Sequence, residues 1–415
     1  MASDPMPARV EALAGAFMSG RLSRRQFVTR LLGLGLSLPA VGAIVAACST
    51  GSSPSASASA SSSTSSSASA GASSSAAASG VFGMADLISK AKAEGSIYQT
   101  GIPPEWANYA GMFDLWKQLA NIPIDGTATE GEYSSGQELD SIKNTGKPDV
   151  ADVGLSFGPQ AKQQGLVANY QNAEWGDIPD NLKDADGAWA ATYYGAMAFI
   201  INTDAVKIDI KDWTDLMDPS LKNAVGIDGD PNKASDSFNA VLSAAYAKGS
   251  SVDDIGPGVD FFNALKAAGN LTPARCNQAN MLSGEVKVGI KWDYLALADR
   301  DKANGAPNFK VVVPSSGSTA GPYVALISAK APHPNAARLW NELLYSDEGQ
   351  LNYLKGYAHP VRYSVLDKAG KIPADLAAKL PPAASYANVH FVTDLTKLAA
   401  AQTKLKSLWN IVVNS

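Results

Sequence analysis

Apolar positions along residues 81–415 follow two rhythms, one with a period near 3.6 and one of short unbroken runs. Met84 to Glu94 sets Leu87, Ile88 and Ala91 on one side, which predicts a helix that Gly95 stops. Ser96 to Thr100 reads as a short strand. Tyr109 to Asn121 repeats the helical spacing with Met112, Phe113, Trp116 and Leu119, which are core candidates. Ile122 to Glu130 is predicted as a strand, Ser134 to Glu138 as a cap opening a helix, Val150 to Val153 as a buried strand, and Phe157 to Gln164 as a helix. The order strand, loop, helix then restarts after a long apolar strand at Tyr193 to Asn202. It continues with a helix at Asp212–Met217, a strand at Val225–Asp228, and helices at Ser235–Ala247 and Phe261–Ala268. Strands follow at Val286–Ile290 and Phe309–Val313, and a second long apolar strand at Tyr323–Ser328. The remainder reads as helical: Ala336–Tyr345, Glu348–Leu354, Ala374–Lys379 and Val392–Trp409. Repeated strand–loop–helix units specify a mainly parallel sheet covered by helices. Two long strands set between two such units predict two α/β units with the chain passing between them. Clefts outside the carboxyl ends of such strands are where ligands settle.

The first eighty residues carry no such pattern. Ser23-Arg24-Arg25-Gln26-Phe27 precedes an apolar run from Leu31 to Ala47 that ends at Val45-Ala46-Ala47-Cys48. A basic flank, an apolar run and small residues before a cut site form a secretory signal. The paired arginines are of the twin-arginine kind, and the last four residues resemble a lipobox that would place a lipid on Cys48. A membrane span needs about 20 apolar residues; this run is shorter and contains Pro39. Residues 49–80 are almost entirely Ser and Ala, without charge or bulk, and cannot build a core. As a flexible chain they would span roughly 30 Å, a suitable tether between a lipid and a globular body. The expected division is therefore a signal at 1–47, a tether at 48–80, one lobe from 81–196 plus 320–415, and a second lobe from 197–319.

Removing the signal, with five arginines against one Asp and one Glu, takes the formal charge from −5 to about −8 for the body. A basic stripe for nucleic acid is therefore not expected. With Cys48 lipidated, Cys276 is the one cysteine left, so no intramolecular disulfide can form. The three histidines, His333, His359 and His390, show no metal-ligand spacing, and neither a metal nor another cofactor is expected.

Several segments, taken in order, resemble the solute-binding proteins of ABC importers in the group that takes polyamines, ferric iron, phosphonates and thiamine. They are Lys147–Val153, Gly165–Tyr170, Phe199–Asp204, Trp213–Pro219, Ser283–Ile290, Pro332–Ala337 and Ser346–Gln350. The resemblance implies a two-lobed periplasmic-binding-protein-like fold of type II. Two mainly parallel or mixed sheets, flanked by helices and joined by hinge strands, would close on a solute. It implies no catalysis. The partners would be a permease and its ATPase, with a monomeric body held at the outer face of the cytoplasmic membrane by Cys48.

Carried over from that group, the ligand-contact candidates are Thr100 and Gly101, then Ser134, Ser135 and Gly136, then Ser156 and Phe157. Tyr193 and Tyr194 sit at the first crossing. Asp230, Ser235 and Asp236 precede the second-lobe helix, and Trp292, Asp293 and Tyr294 come after the strand ending at Ile290. Iron-binding relatives carry two adjacent tyrosines near this last position, where this chain has Trp, Asp and one Tyr. A tryptophan face and a carboxylate suit an ammonium group, so the resemblance favours a polyamine or another organic cation. Ferric iron, a phosphonate or thiamine are the alternatives. The helix starts at Ser134–Gly136 and Ser235 would serve an anion or simply cap their helices, and Trp292 and the Tyr193–Tyr194 pair could equally be hinge packing. Gly154-Leu155-Ser156-Phe157-Gly158 also fits the G-x-S-x-G pattern of a hydrolase elbow, with Ser156 as nucleophile. An adhesin-like lipoprotein would instead show a filled or flat cleft.

Overall fold

The computed structural model describes residues 80–126, 134–378, 380 and 383–411. The signal, Cys48 and the Ser/Ala tether as far as Ser79 lie outside the described residues. No helix among the described residues is long and apolar enough to cross a membrane.

The body opens with α1 (Ala85–Glu94) and β1 (Ile97–Thr100). Then come α2 (Tyr109–Leu119), β2 (Ile124–Gly126), α3 (Ser135–Thr145), β3 (Val150–Gly154) and α4 (Phe157–Gln163). Parallel strands need helical crossovers, and β1 pairs parallel with both β2 and β3. The long strand β4 (Ala190–Asn202) follows, then β5 (Val225–Ile227), α5 (Ser235–Ala247), α6 (Gly256–Ala267) and α7 (Gln278–Ser283). Next are β6 (Val288–Trp292), α8 (Asp293–Ala303), β7 (Phe309–Val312) and the second long strand, β8 (Ser318–Ile327). The chain ends with α9 (Pro334–Tyr345), α10 (Asp347–Lys355), β9 (His359–Pro360), α11 (Tyr363–Lys368), α12 (Ala374–Ala377), β10 (Val389–Phe391) and α13 (Leu395–Leu408).

The strand order is β2-β1-β3-β8-β4-β6-β5. β4 belongs to two sheets. Its residues Ala190–Ala196 pair antiparallel with β8, and Met197–Ile201 pair antiparallel with β6. Every residue of β4 but Tyr194 is buried, which explains its unbroken apolar sequence. One aromatic cluster fills the first sheet's outer layer: Trp340 stacks on Tyr109 and meets Trp116 edge-on at 5.7 Å. Another fills the second: Trp213 meets Phe199 and Phe261 edge-on at 5.1 and 5.4 Å.

Several boundaries move from their sequence-based positions. The strand expected at Val286–Ile290 runs two residues later, so Trp292 is its last residue and Asp293 opens α8, a helix the apolar pattern did not reveal. The helix expected from Val392 begins at Leu395, because β10 occupies Val389–Phe391 and pairs with β8. Asp212–Met217 is a 3₁₀ turn at Trp213–Met217. Of the expected Ile122–Glu130 strand, Ile124–Gly126 is observed and residues 127–130 lie outside the described set.

Behind the second sheet lies a buried ion pair, Lys291 Nζ to Asp299 Oδ2 at 2.9 Å, with Lys291 also donating to the Cys276 carbonyl. Cys276 is free and fully buried, and burial raises its thiol pKa well above the usual range. The thiolate is the reactive form. Cys276 is therefore expected to resist maleimide in the native protein and to react once the chain is unfolded; native-state labelling at the rate of an open thiol would contradict this packing.

Candidate functional site

A cavity of about 310 Å³ opens at the carboxyl ends of β1, β3 and β5. Its first wall comes from the chain after β1 (Gly101, Pro103 and Trp106), from the start of α3 (Ser134, Ser135, Gln137 and Glu138), and from Asp152 on β3. Tyr323 of β8 forms part of the floor. The opposite wall is Asp228, Gly229 and Asp230 after β5, Lys233 to Asp236 leading into α5, and Arg275.

Local sequence explains this placement. Ser134 and Gln137 form a capping box, with the Ser134 N–H donating to Gln137 Oε1 at 2.9 Å. The cap starts α3 at the cavity edge and turns Glu138 inward. Gly101 has φ of 64°, in the left-handed region, and a Cβ there would run into the Glu138 carboxyl. Glycine is therefore required at this position twice over, for its backbone and for the carboxyl beside it. Gly154, the last residue of β3, abuts Ser235 of the far wall in the same way, and its N–H donates to Ser135 Oγ at 3.0 Å. Small residues thus let the two walls approach.

Five carboxyl groups and two cations line the cavity. Arg275 is engaged by Asp228, Nε to Oδ1 at 3.0 Å. Lys233 is exposed at the rim. Asp152 is buried and its Oδ2 accepts from the Tyr193 hydroxyl at 2.7 Å, while its Oδ1 has no partner. Glu138 is buried and its Oε2 has none either. Burial drives the Asp152 carboxyl up to about 7 against the pull of its Tyr193 and Tyr109 hydrogen bonds. Glu138 moves the same way through burial and then the charge of Asp152. Asp236 also rises, through burial first and Asp228 second. Burying a carboxylate is costly, and all three shift toward their protonated forms, Asp236 against the opposing pull of Arg275 and Lys291.

The aromatic floor is continuous with this acid cluster. Tyr323 stacks on Tyr193 at 5.5 Å, Trp106 meets Tyr323 edge-on at 5.8 Å, and the Tyr294 hydroxyl is buried without a partner. Burial pushes the phenols of Tyr193, Tyr294 and Tyr323 well above their ordinary pKa, so they are neutral.

Of the sequence-derived candidates, Gly101, Ser134, Ser135, Asp230, Ser235 and Asp236 meet on the cavity walls. Thr100 is buried one residue behind Gly101, and Gly136 faces the Lys233 carbonyl across the gap. Tyr193 stands behind Asp152 as its hydrogen-bond donor. The others do not line the cavity. Tyr194 stacks on His359 at 4.8 Å. Trp292 is fully buried beneath Tyr323 and donates to its hydroxyl at 3.2 Å. Asp293 is buried and accepts from Tyr386 and from the Ala196 N–H. Tyr294 is buried in the floor. Phe157 is buried, and Ser156 Oγ accepts from Gln402 Nε2 at 2.7 Å. Histidine contacts among the described residues go elsewhere: His333 to Asp149, His359 to Asp293 and His390 to Tyr246.

Glu138, Asp152, Asp228, Arg275, Trp106 and Tyr323 escaped the sequence reading. One signal was available: Asp152 interrupts an otherwise apolar β3, and a carboxyl in a buried strand calls for a reason.

A profile of the bacterial extracellular solute-binding protein family matches residues 146–393. No curated protein sequence matches this chain. Among solved structures, the fold is similar to the periplasmic binding protein AfuA from Actinobacillus pleuropneumoniae with fructose-6-phosphate bound. Identity is 20% over 75% of this chain and 97% of the other, with a TM-score of 0.54. It is similar too to the ferric binding protein from Campylobacter jejuni, at 15% identity over 75% and 97% of the two chains and a TM-score of 0.56. A third similar structure is the Atu4243-GABA receptor, at 16% over 75% and 95% with a TM-score of 0.55. The two sheets sharing a long strand, the cavity at their strand ends and the family match lead to one conclusion: the chain belongs to the bacterial extracellular solute-binding proteins, the capture components of ABC importers.

Proposed function

We propose that this protein captures a small organic cation, of the alkyl diamine or polyamine class, and delivers it to an ABC permease and its ATPase. The observation that carries the reading is the pair of unpartnered oxygens, Glu138 Oε2 and Asp152 Oδ1, buried on the wall of one cavity. An ammonium group supplies the donors both lack, and the Trp106 and Tyr323 rings beside it add cation–π attraction of about 0.5–2 kcal/mol. The cavity would close between a lobe of residues 81–196 and 320–415 and a lobe of residues 197–319. The chain would be exported on its twin-arginine signal and held as a monomer by a lipid on Cys48. In this reading the protein performs no chemistry on its solute.

The alternatives fit less well. A phosphate or phosphonate would meet Glu138 and Asp236 in the first turns of α3 and α5, where carboxyls already occupy the positive helix ends. Ferric iron favours a set of phenolates, and among the described tyrosines only Tyr323 lines the cavity. A second reading, an ω-amino acid, draws support from Lys233 and Arg275 on the wall opposite the Glu138–Asp152 end.

Thermal-shift screening distinguishes them. Putrescine and spermidine are expected to raise the unfolding temperature, since ligand at 100 times its Kd adds about 2.7 kcal/mol. 4-Aminobutyrate, aminoethylphosphonate, fructose 6-phosphate, thiamine and ferric citrate are the comparison set. Silence of both amines, or a larger shift with a phosphate ester, would retire the cation reading.

A further inference from the structure

Helix α13 lies beyond the family match, which ends at residue 393. Leu398, Ala401 and Leu405 are buried on one of its faces, the spacing of a helix that packs. That face rests on the second half of the molecule. Trp409, just past its end, meets Phe262 of α6 edge-on at 5.7 Å. Lys397 pairs with Asp253 at 3.0 Å and Lys404 with Asp254 at 2.7 Å, on the turn before α6. One residue reaches the other way. Gln402 Nε2 donates to Ser156 Oγ at 2.7 Å and its Oε1 accepts from Gln160 Nε2 at 3.1 Å, both at the start of α4.

We infer that α13 is a strap: it moves with residues 197–319 and fastens to the first lobe through Gln402, so that Gln402 is a positioning residue for solute retention outside the cavity. The inference rests on the two-lobed capture reading above and revises its boundary at the C-terminus. Its physical basis is geometric. At 2.7 Å this N–H···O hydrogen bond is at the short end of the normal range, so rotating the lobes apart lengthens or breaks it, and its free energy belongs to the arrangement seen here. A net hydrogen bond of this kind corresponds to a change in population of about three- to tenfold.

The test is release of putrescine by stopped flow from the full-length protein, wild type against Gln402→Ala, Ser156→Ala and the double variant. Gln402→Ala is expected to release solute about three- to tenfold faster with little change in association. The double variant should match Gln402→Ala, because that substitution already removes the contact to Ser156 together with the one to Gln160, whereas Ser156→Ala alone removes only the first. A second measurement needs no solute: spin-label distances between Lys117→Cys and Lys266→Cys, on a Cys48→Ser background, should shift toward longer separation in ligand-free Gln402→Ala. Equal release rates, or unchanged distances, would overturn the strap. If the wild type binds no putrescine, the cation reading fails by itself and the distance measurement alone decides.

Discussion

Asp152→Asn is expected to weaken putrescine binding about a hundredfold while making the empty protein more stable at pH 8. The two effects share a cause. Asp152 is buried on β3, with one oxygen held by Tyr193 and the other facing the cavity without a partner. Removing the charge from a buried ion pair with the solute costs on the order of 2–5 kcal/mol, and 1.4 kcal/mol is tenfold. The asparagine carbonyl still accepts from Tyr193, so the fold is preserved. In the empty protein the folded-state pKa, about 7, stands above the ordinary aspartate value of 3.8. A carboxyl shifted this way binds its proton more tightly when folded. Its contribution is therefore full at low pH and falls as pH rises from about 4 to about 7, by at most about 4 kcal/mol. Melting curves of ligand-free wild type and variant at pH 5 and pH 8, beside calorimetric affinities, check both halves. A variant that binds putrescine normally removes Asp152 from the site.

Affinity for putrescine is expected to rise with pH, through about 7. Below that value Asp152 holds a proton that the ammonium must displace, so each pH unit costs about tenfold and pH 5.5 should be about thirtyfold weaker than the plateau. Glu138 and Asp236, shifted in the same direction, steepen the slope. Primary ammonium groups, with pKa near 10.4, stay charged throughout. Titration calorimetry in buffers of different ionisation enthalpy reads the released protons directly. A Kd that is flat from pH 5.5 to 8.5, with no proton release, would mean that the cation does not sit at these carboxyls.

Much of the architecture was legible because periodicity reports burial. Tyr193–Asn202 and Tyr323–Ser328 read as long apolar runs because both faces of β4 and β8 are covered. Ser235–Ala247 matched residue for residue, since an unbroken run without glycine or proline, buried from Ser235 to Ala245, leaves little freedom. Helix α8 was missed for the opposite reason: with Asp293, Asp299, Arg300 and Asp301 inside it, its pattern does not look like a core helix, although Asp299 is buried against Lys291. At the cavity, sequence found the loop residues that neighbour strand ends. It did not find Glu138, Asp152, Arg275 or Tyr323, because what brings these together is pairing between segments far apart in the chain. Trp292 shows the reverse case. Tryptophan and aspartate side by side suggest amine recognition, but a two-residue shift of β6 puts the ring under Tyr323 and the carboxyl under Tyr386.

Gly195 and Gly321 are direct partners across β4 and β8, one step before β4 changes sheets. A Cβ at Gly195 would press on the Tyr294 ring, and one at Gly321 on the Trp292 ring. The crossing point is thus a bare pair of backbones seated on two aromatic plates, like a journal in its bearing. None of these four residues supplies a charge to the solute. In the capture reading proposed above, recognition and motion are therefore written in separate parts of the chain, and the wall carboxyls could be exchanged to suit another cargo without re-machining the joint.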